Sequence, residues 1–207
     1  MLLLFRHTDK VIVLKLLIHL AALLPLLTIY YLALVDELSA DPVQEIIHFT
    51  GIGAFNLLLL SLIISPVARY FKQGYFLKTR RLIGLYAFTY ATFHIFNFLA
   101  FDLQFAWLLF FNELIERPYI FIGMLAMVIL VALAMTSFNK LRRKMGKSWQ
   151  TLHNFSYLAA ILIAVHFYWS VKSELSSPLL YGLAVFILLA LRYTKIKHLV
   201  FSVFLKK

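Results

Sequence analysis

Six stretches of the chain are apolar almost without interruption, and charges, prolines or glycines bound each of them. They cover residues 11–35, 43–65, 82–101, 119–138, 149–171 and 178–192. A helix needs about 20 apolar residues to cross a hydrocarbon core about 30 Å thick. The pattern therefore predicts six transmembrane helices, the last of them the shortest. The segments are too uniformly apolar for a 3.6-residue period to separate a lipid face from a buried one. Boundary residues support the division. Asp41-Pro42-Val43-Gln44 reads as an N-cap, a proline at the first helical position and a capping-box glutamine. Ser177-Pro178 repeats the cap-then-proline pattern, Pro118 opens the fourth helix, and Pro66 closes the second. Pro25 lies inside the first helix and is expected to kink it. The first apolar run, at about 25 residues, is longer than the 7–15 of a signal-peptide core. It reads as an uncleaved signal anchor. No sequence repeat or low-complexity stretch is evident.

Composition reinforces the membrane reading. Of the 207 residues, 63% are hydrophobic and 14% charged, against roughly 45–50% and 25% in an ordinary soluble domain. Little chain is left outside the helices for a second, soluble domain, so residues 1–207 read as a single transmembrane domain. Cysteine is absent, which excludes disulfides, thiol redox chemistry, iron–sulfur ligation and covalent c-type haem attachment.

The net charge of +11 matters less than its distribution. Arg6, Lys10 and Lys15, then the clusters at residues 69–81, 140–147 and 192–207, hold eighteen of the twenty basic residues, all at alternate ends of the spans. The opposite loops hold eight of the nine acids, among them Asp36, Asp41, Glu113 and Glu174, with only Arg117 and Lys172 as cations. Positive loops stay inside, so both termini are expected in the cytoplasm. The basic loops are most simply topogenic and lipid-binding. No nucleic-acid role is expected without a soluble reading module.

Ionisable residues inside spans are costly and usually functional. The third helix carries His94, the fifth His153 and His166, and the first His19, while His48 stands at the outer start of the second. His7 and His198 fall outside the spans. At 1.5 Å per residue, His94 lies roughly 20 Å beyond Arg81 and His166 roughly 28 Å beyond Lys147. His153 is about 9 Å beyond Lys147 by the same rise. Depth thus pairs His94 with His166 in the outer half and leaves His153, with His19 as its best match, in the inner half. Two imidazoles at matched depth on facing helices are what a b-type haem requires. The spacing alone is equally compatible with a proton-coupled transporter. One geometric tension remains: thirteen residues turn a straight helix by about 220° net, so His153 and His166 would not share a face.

The residues reached so far resemble those of the MsrQ family, within the ferric-reductase-like transmembrane superfamily. The likeness rests on Ala40-Asp41-Pro42-Val43, Ile47-His48-Phe49-Thr50-Gly51, Ser65-Pro66-Val67-Ala68-Arg69-Tyr70 and Thr79-Arg80-Arg81-Leu82-Ile83-Gly84-Leu85. It continues through Ala91-Thr92-Phe93-His94 and Arg117-Pro118-Tyr119. The most specific block runs from Gly146-Lys147-Ser148-Trp149-Gln150-Thr151-Leu152-His153-Asn154-Phe155 to Val165-His166-Phe167-Tyr168-Trp169-Ser170.

The resemblance implies an all-α membrane protein, a six-helix bundle with a ferric-reductase-like cytochrome b core. It implies one or two haem b groups in the bacterial inner membrane, FMN, electrons drawn from the respiratory quinone pool, and delivery to MsrP. That partner is a periplasmic molybdopterin enzyme that reduces methionine sulfoxide in oxidised proteins. The haem-ligand positions carry over onto His94, His153 and His166, with His19 a substitute inner ligand. Arg81 stands where the wider superfamily has a further histidine. Arg80 and Arg81 are candidate contacts for an FMN phosphate or an inner haem, although topogenic charge explains them as well.

Trp149, Trp169 and Tyr119 read as interface anchors. Without cysteine or a flavin domain the chain suits an electron-transfer subunit rather than the sulfoxide-reducing catalyst. The alternatives are a stand-alone quinol or ferric reductase of the same superfamily and a non-redox transporter. Against the last, no Asp, Glu, Lys or Arg lies in the central part of the third to sixth helices.

Overall fold

The computed structural model describes residues 7–171 and 174–193, with side chains from residue 9 onward. Lys172 and the C-terminal lysines of the basic end lie outside the described residues, as do Arg6 and His198. Within them the fold is helical throughout. The helices are α1 (His7–Leu34), α2 (Pro42–Tyr70), α3 (Arg80–Asn97), α4 (Trp107–Glu116), α5 (Pro118–Met135), α6 (Asn139–Met145), α7 (Lys147–Asn154), α8 (Ser156–Ser170) and α9 (Ser176–Ala190). A short 3-10 turn, Gly74–Lys78, leads into α3, and a π turn, Phe98–Asp102, ends it.

Five helical stretches are long and apolar enough to cross a membrane: Asp9–Leu34, Pro42–Tyr70, Arg80–Asp102, Pro118–Met135 and Lys147–Ser170. The expected sixth span coincides with α9, whose 15 residues extend only about 22 Å. Many large apolar side chains remain uncovered by protein, Leu27 of α1 at 63% exposure among them. Lipid is the solvent that such surfaces require, and the chain is a multi-pass membrane protein.

Local chemistry sets most of the boundaries. Asp41 caps α2, its carboxylate accepting from Gln44 N–H at 3.0 Å, and Pro42 and Pro118 open their helices. Two expectations need correction. Pro66 does not close the second helix, because α2 continues to Tyr70. A proline removes one backbone donor and crowds one carbonyl, and the bonds resume beyond it, with Phe71 N–H donating to Val67 at 3.0 Å. The last helix begins at Ser176 with Leu175 in the cap position, so Ser177 is not its N-cap. Pro25 likewise sits inside a continuous α1. The predicted fifth helix is divided at Phe155 into α7 and α8, so His153 and His166 occupy two helical pieces. The 220° expected of a straight helix therefore does not apply to them. The stretch before Pro118, expected to be loop, contains α4, too short to span at ten residues.

The chain forms two compact units that divide after Phe110. In the first, α2 lies along α3 and α1 packs on both through Ala22, Leu26, Ala54, Tyr86 and Tyr90. Polar groups cross-link the three helices. Tyr90 Oη donates to Ala22 C=O at 2.7 Å, and Tyr30 Oη donates to Asn97 Oδ1 at 2.8 Å. Asn97 is fully buried, and its amide also reaches Thr50 Oγ1 at 3.4 Å. In the second unit α5 lies along α8, and α9 packs on α8. Buried Arg192 donates to Tyr157 Oη at 2.8 Å.

Side-chain hydrogen bonds between membrane helices contribute about 0.6 kcal/mol on average and up to roughly 1.7. Asn97→Ala removes two at once and leaves Tyr30 without its acceptor. It should destabilise the purified protein by about 1–2 kcal/mol, read as a fall in detergent melting temperature. Thr92→Ala, on the exposed side of α3, should leave that temperature unchanged.

Candidate functional site

The first unit holds His19, Arg80, Arg81 and His94, and the second holds His153 and His166. His94, in the last turn of α3, is seated against the start of α2. Its Nδ1 lies 2.8 Å from Ile47 C=O. A carbonyl only accepts, so Nδ1 carries the proton and the ring's lone pair is on Nε2.

The carbonyl is reachable because of the residue one turn on. In a helix, the side chain at n+4 lies over the carbonyl of residue n. Here that residue is Gly51. A Cβ at Gly51 would meet Nδ1 at 2.9 Å and Cε1 at 3.0 Å, inside the contact distance of real side chains. The missing Cβ is the opening through which the imidazole reaches the backbone.

His166 of α8 is held in the same way. Its Nδ1 lies 2.7 Å from Tyr119 C=O near the start of α5. Four residues on stands Gly123, where a Cβ would meet Nδ1 at 2.8 Å and Cε1 at 3.0 Å. In both units the histidine follows its acceptor by 47 residues. Metal-ligating histidines usually donate Nδ1–H to a carbonyl or carboxylate in this way, which fixes the tautomer and ring orientation and leaves Nε2 for the metal. Each imidazole by itself thus has the tautomer that a ligand of haem iron would need.

His153 is held differently. Thr136 Oγ1 has one hydrogen and donates it to Ala132 C=O at 2.7 Å. It therefore accepts from His153 Nε2–H, 3.2 Å away. The ring stacks on Trp149, centroids 3.9 Å apart and planes 27° apart, with the Arg142 guanidinium 4.7 Å from the Trp149 ring centroid. Trp149 Nε1 donates to Thr136 C=O at 2.9 Å. Trp149, expected to anchor at the interface, also stacks on the imidazole. Trp169 is exposed, as an anchor would be.

His19 bonds Tyr86 Oη through Nδ1 with the two rings edge to face. Arg80 Nη1 donates to Ser65 Oγ at 3.4 Å from a half-buried position, while Arg81 is exposed. Sequence reasoning named the histidines but missed Gly51, Gly123 and the stacking role of Trp149. The glycines carried a signal, since each stands in Phe-x-Gly-x-x-Ala at the start of a long apolar helix.

A helical membrane protein with histidines cradled on two of its helices defines the class. The family model described as the ferric reductase like transmembrane component matches residues 50–164. The chain is 46% identical over 195 residues to the protein-methionine-sulfoxide reductase heme-binding subunit MsrQ of Cronobacter sakazakii, covering 93% of this chain and 98% of that one. No solved structure matches. The chain belongs to the MsrQ family of ferric-reductase-like transmembrane components.

Stacking on Trp149 should hold the His153 ring still. Trp149→Leu should raise hydrogen–deuterium exchange at the His153 ring carbon several-fold by mass spectrometry, leaving exchange at His94 unchanged.

Proposed function

We propose that this chain is the haem b electron-transfer subunit of a protein-methionine-sulfoxide reductase system in the bacterial inner membrane. The observation that carries this reading is end-to-end likeness to a heme-binding MsrQ subunit together with two histidines in metal-ligating tautomers. In this reading six helices cross the membrane with both termini in the cytoplasm, supported by the alternation of basic and acidic loops. The 207 residues act as one haem-binding domain.

His94 and His166 offer Nε2 to haem iron, and His153 serves a separate inner site in which His19 is a candidate second ligand. Haem supplies reversible one-electron chemistry when bound. The protein supplies fixed ligand orientation, a dry surround and a direction. Nδ1–H bonds to backbone carbonyls raise the basicity of both imidazoles and stabilise the ferric form. The basic side would receive electrons from the quinone pool, with Arg80 and Arg81 available to an FMN phosphate. The acidic outer loops would present complementary charge to an MsrP-like periplasmic reductase.

The optical spectrum of the purified full chain, with haem-to-protein stoichiometry, tests this. A Soret band with low-spin bis-histidine features, reducible by a quinol analogue, is expected. His94→Ala or His166→Ala should abolish the outer haem, and His153→Ala should remove a separate signal. Colourless protein under ample haem supply would overturn the reading. Deletion of the gene should impair repair of oxidised periplasmic proteins. Loss of ferric reduction with repair intact would favour a ferric reductase instead.

A further inference from the structure

The two histidine seats agree in more than their chemistry. A shift of 72 residues carries Ile47, Gly51 and His94 onto Tyr119, Gly123 and His166. The same shift, without any gap, aligns the sequence of residues 43–98 with that of residues 115–170. Ten of these fifty-six positions are identical. In or just after the first helix of each copy they are Phe49 and Phe121, Gly51 and Gly123, Ala54 and Ala126, Leu58 and Leu130, and Ser65 and Ser137, the last of these lying two residues beyond α5. Beyond it they are Lys72 and Lys144, Gly74 and Gly146, Thr79 and Thr151, Ala87 and Ala159, and His94 and His166.

Three of the identical pairs are buried in both copies. Ala87 and Ala159 are both wholly inaccessible, and Ala54, Ala126, Leu58 and Leu130 are all buried. Apolar helices share residues by composition alone. Composition does not place a carbonyl, a glycine and a histidine at n, n+4 and n+47 twice over with matching bond lengths. Sequence reading saw no repeat because forty-six of the fifty-six positions differ, many of them exchanging an apolar residue for a polar or charged one. The copies have also diverged: Arg81 corresponds to His153, and the second copy is broken at Phe155, whereas the first is broken at Thr79 and is continuous helix at the matching Ile83.

We propose that Gly51 and Gly123 are positioning residues for His94 and His166, in two copies of one helical hairpin repeated at a 72-residue interval. Each glycine opens a helix carbonyl to the imidazole and so sets the Nδ1–H tautomer. Their consequence for iron ligation rests on the haem reading above, whereas the seat itself does not.

The test uses the full chain in detergent, labelled with 15N-histidine, prepared both with and without haem and assigned with His94→Ala and His166→Ala. In haem-free protein both histidines should give the Nδ1–H pattern. Gly51→Ala should change the signal of His94 alone, and Gly123→Ala that of His166 alone. In haem-loaded protein each should lower haem affinity by about 10–100-fold, the range of a lost second-shell partner. Gly84→Ala is the control, since a Cβ there meets nothing within 4 Å, and it should match wild type in both measurements.

Unchanged signals in either glycine variant would overturn the proposal. So would one substitution that changes both histidines, which would mark general loss of the fold. Wild-type protein that shows the tautomers and their selective loss, yet binds no haem, would support the seats while overturning the haem reading.

Discussion

Inside a bilayer, a polar group has no water to fall back on, and every donor must find its acceptor within the protein. In this chain that constraint does constructive work at the histidines. A helix has already used each carbonyl once, but a carbonyl oxygen has a second lone pair. Ile47 and Tyr119 give theirs to an imidazole. The bond answers the desolvation cost of the ring, joins two helices and fixes the tautomer. Stability and chemistry come from the same contact, so neither can be altered alone.

The same economy explains what differs between the units. At Asn97 and Tyr30 a hydrogen bond ties α1 to α3, and at Arg192 and Tyr157 another ties the end of α9 to α8. His153 makes its bond to a threonine hydroxyl and takes its orientation from the face of Trp149. Its proton is on Nε2, opposite to His94 and His166. Three intramembrane histidines are therefore two chemical kinds, a distinction that depth along a helix does not reveal.

Much of the fold was legible in the sequence because length and hydropathy are nearly sufficient for membrane helices. Each of the five long helical stretches overlaps one of the apolar runs, and Asp41, Pro42 and Pro118 act as their types require. Pro66 misled because the penalty of a proline is local, and an apolar helix with nowhere else to place its backbone bonds continues past it. α4 went unseen because ten residues containing two acids do not resemble a span. The histidines were visible because they are conspicuous in an apolar background. Gly51 and Gly123 were not, because a glycine in a membrane helix has several possible uses, and only the ring lying over each reveals which one applies. Trp149 was ambiguous for a similar reason, since an interfacial anchor and a stacking partner occupy the same stretch of sequence.

A ring seated where a glycine leaves no Cβ, with its Nδ1 bonded to a carbonyl, has little freedom to swing. Gly51 and Gly123 stand against Nδ1 and Cε1 of His94 and His166, and the carbonyl bonds hold Nδ1. For a group that changes oxidation state, such confinement has a kinetic meaning. Little nuclear rearrangement accompanies gain or loss of an electron when the ligands are already held in place, as preorganised sites hold their groups. The absent side chains thus keep each imidazole in the orientation that its carbonyl bond sets.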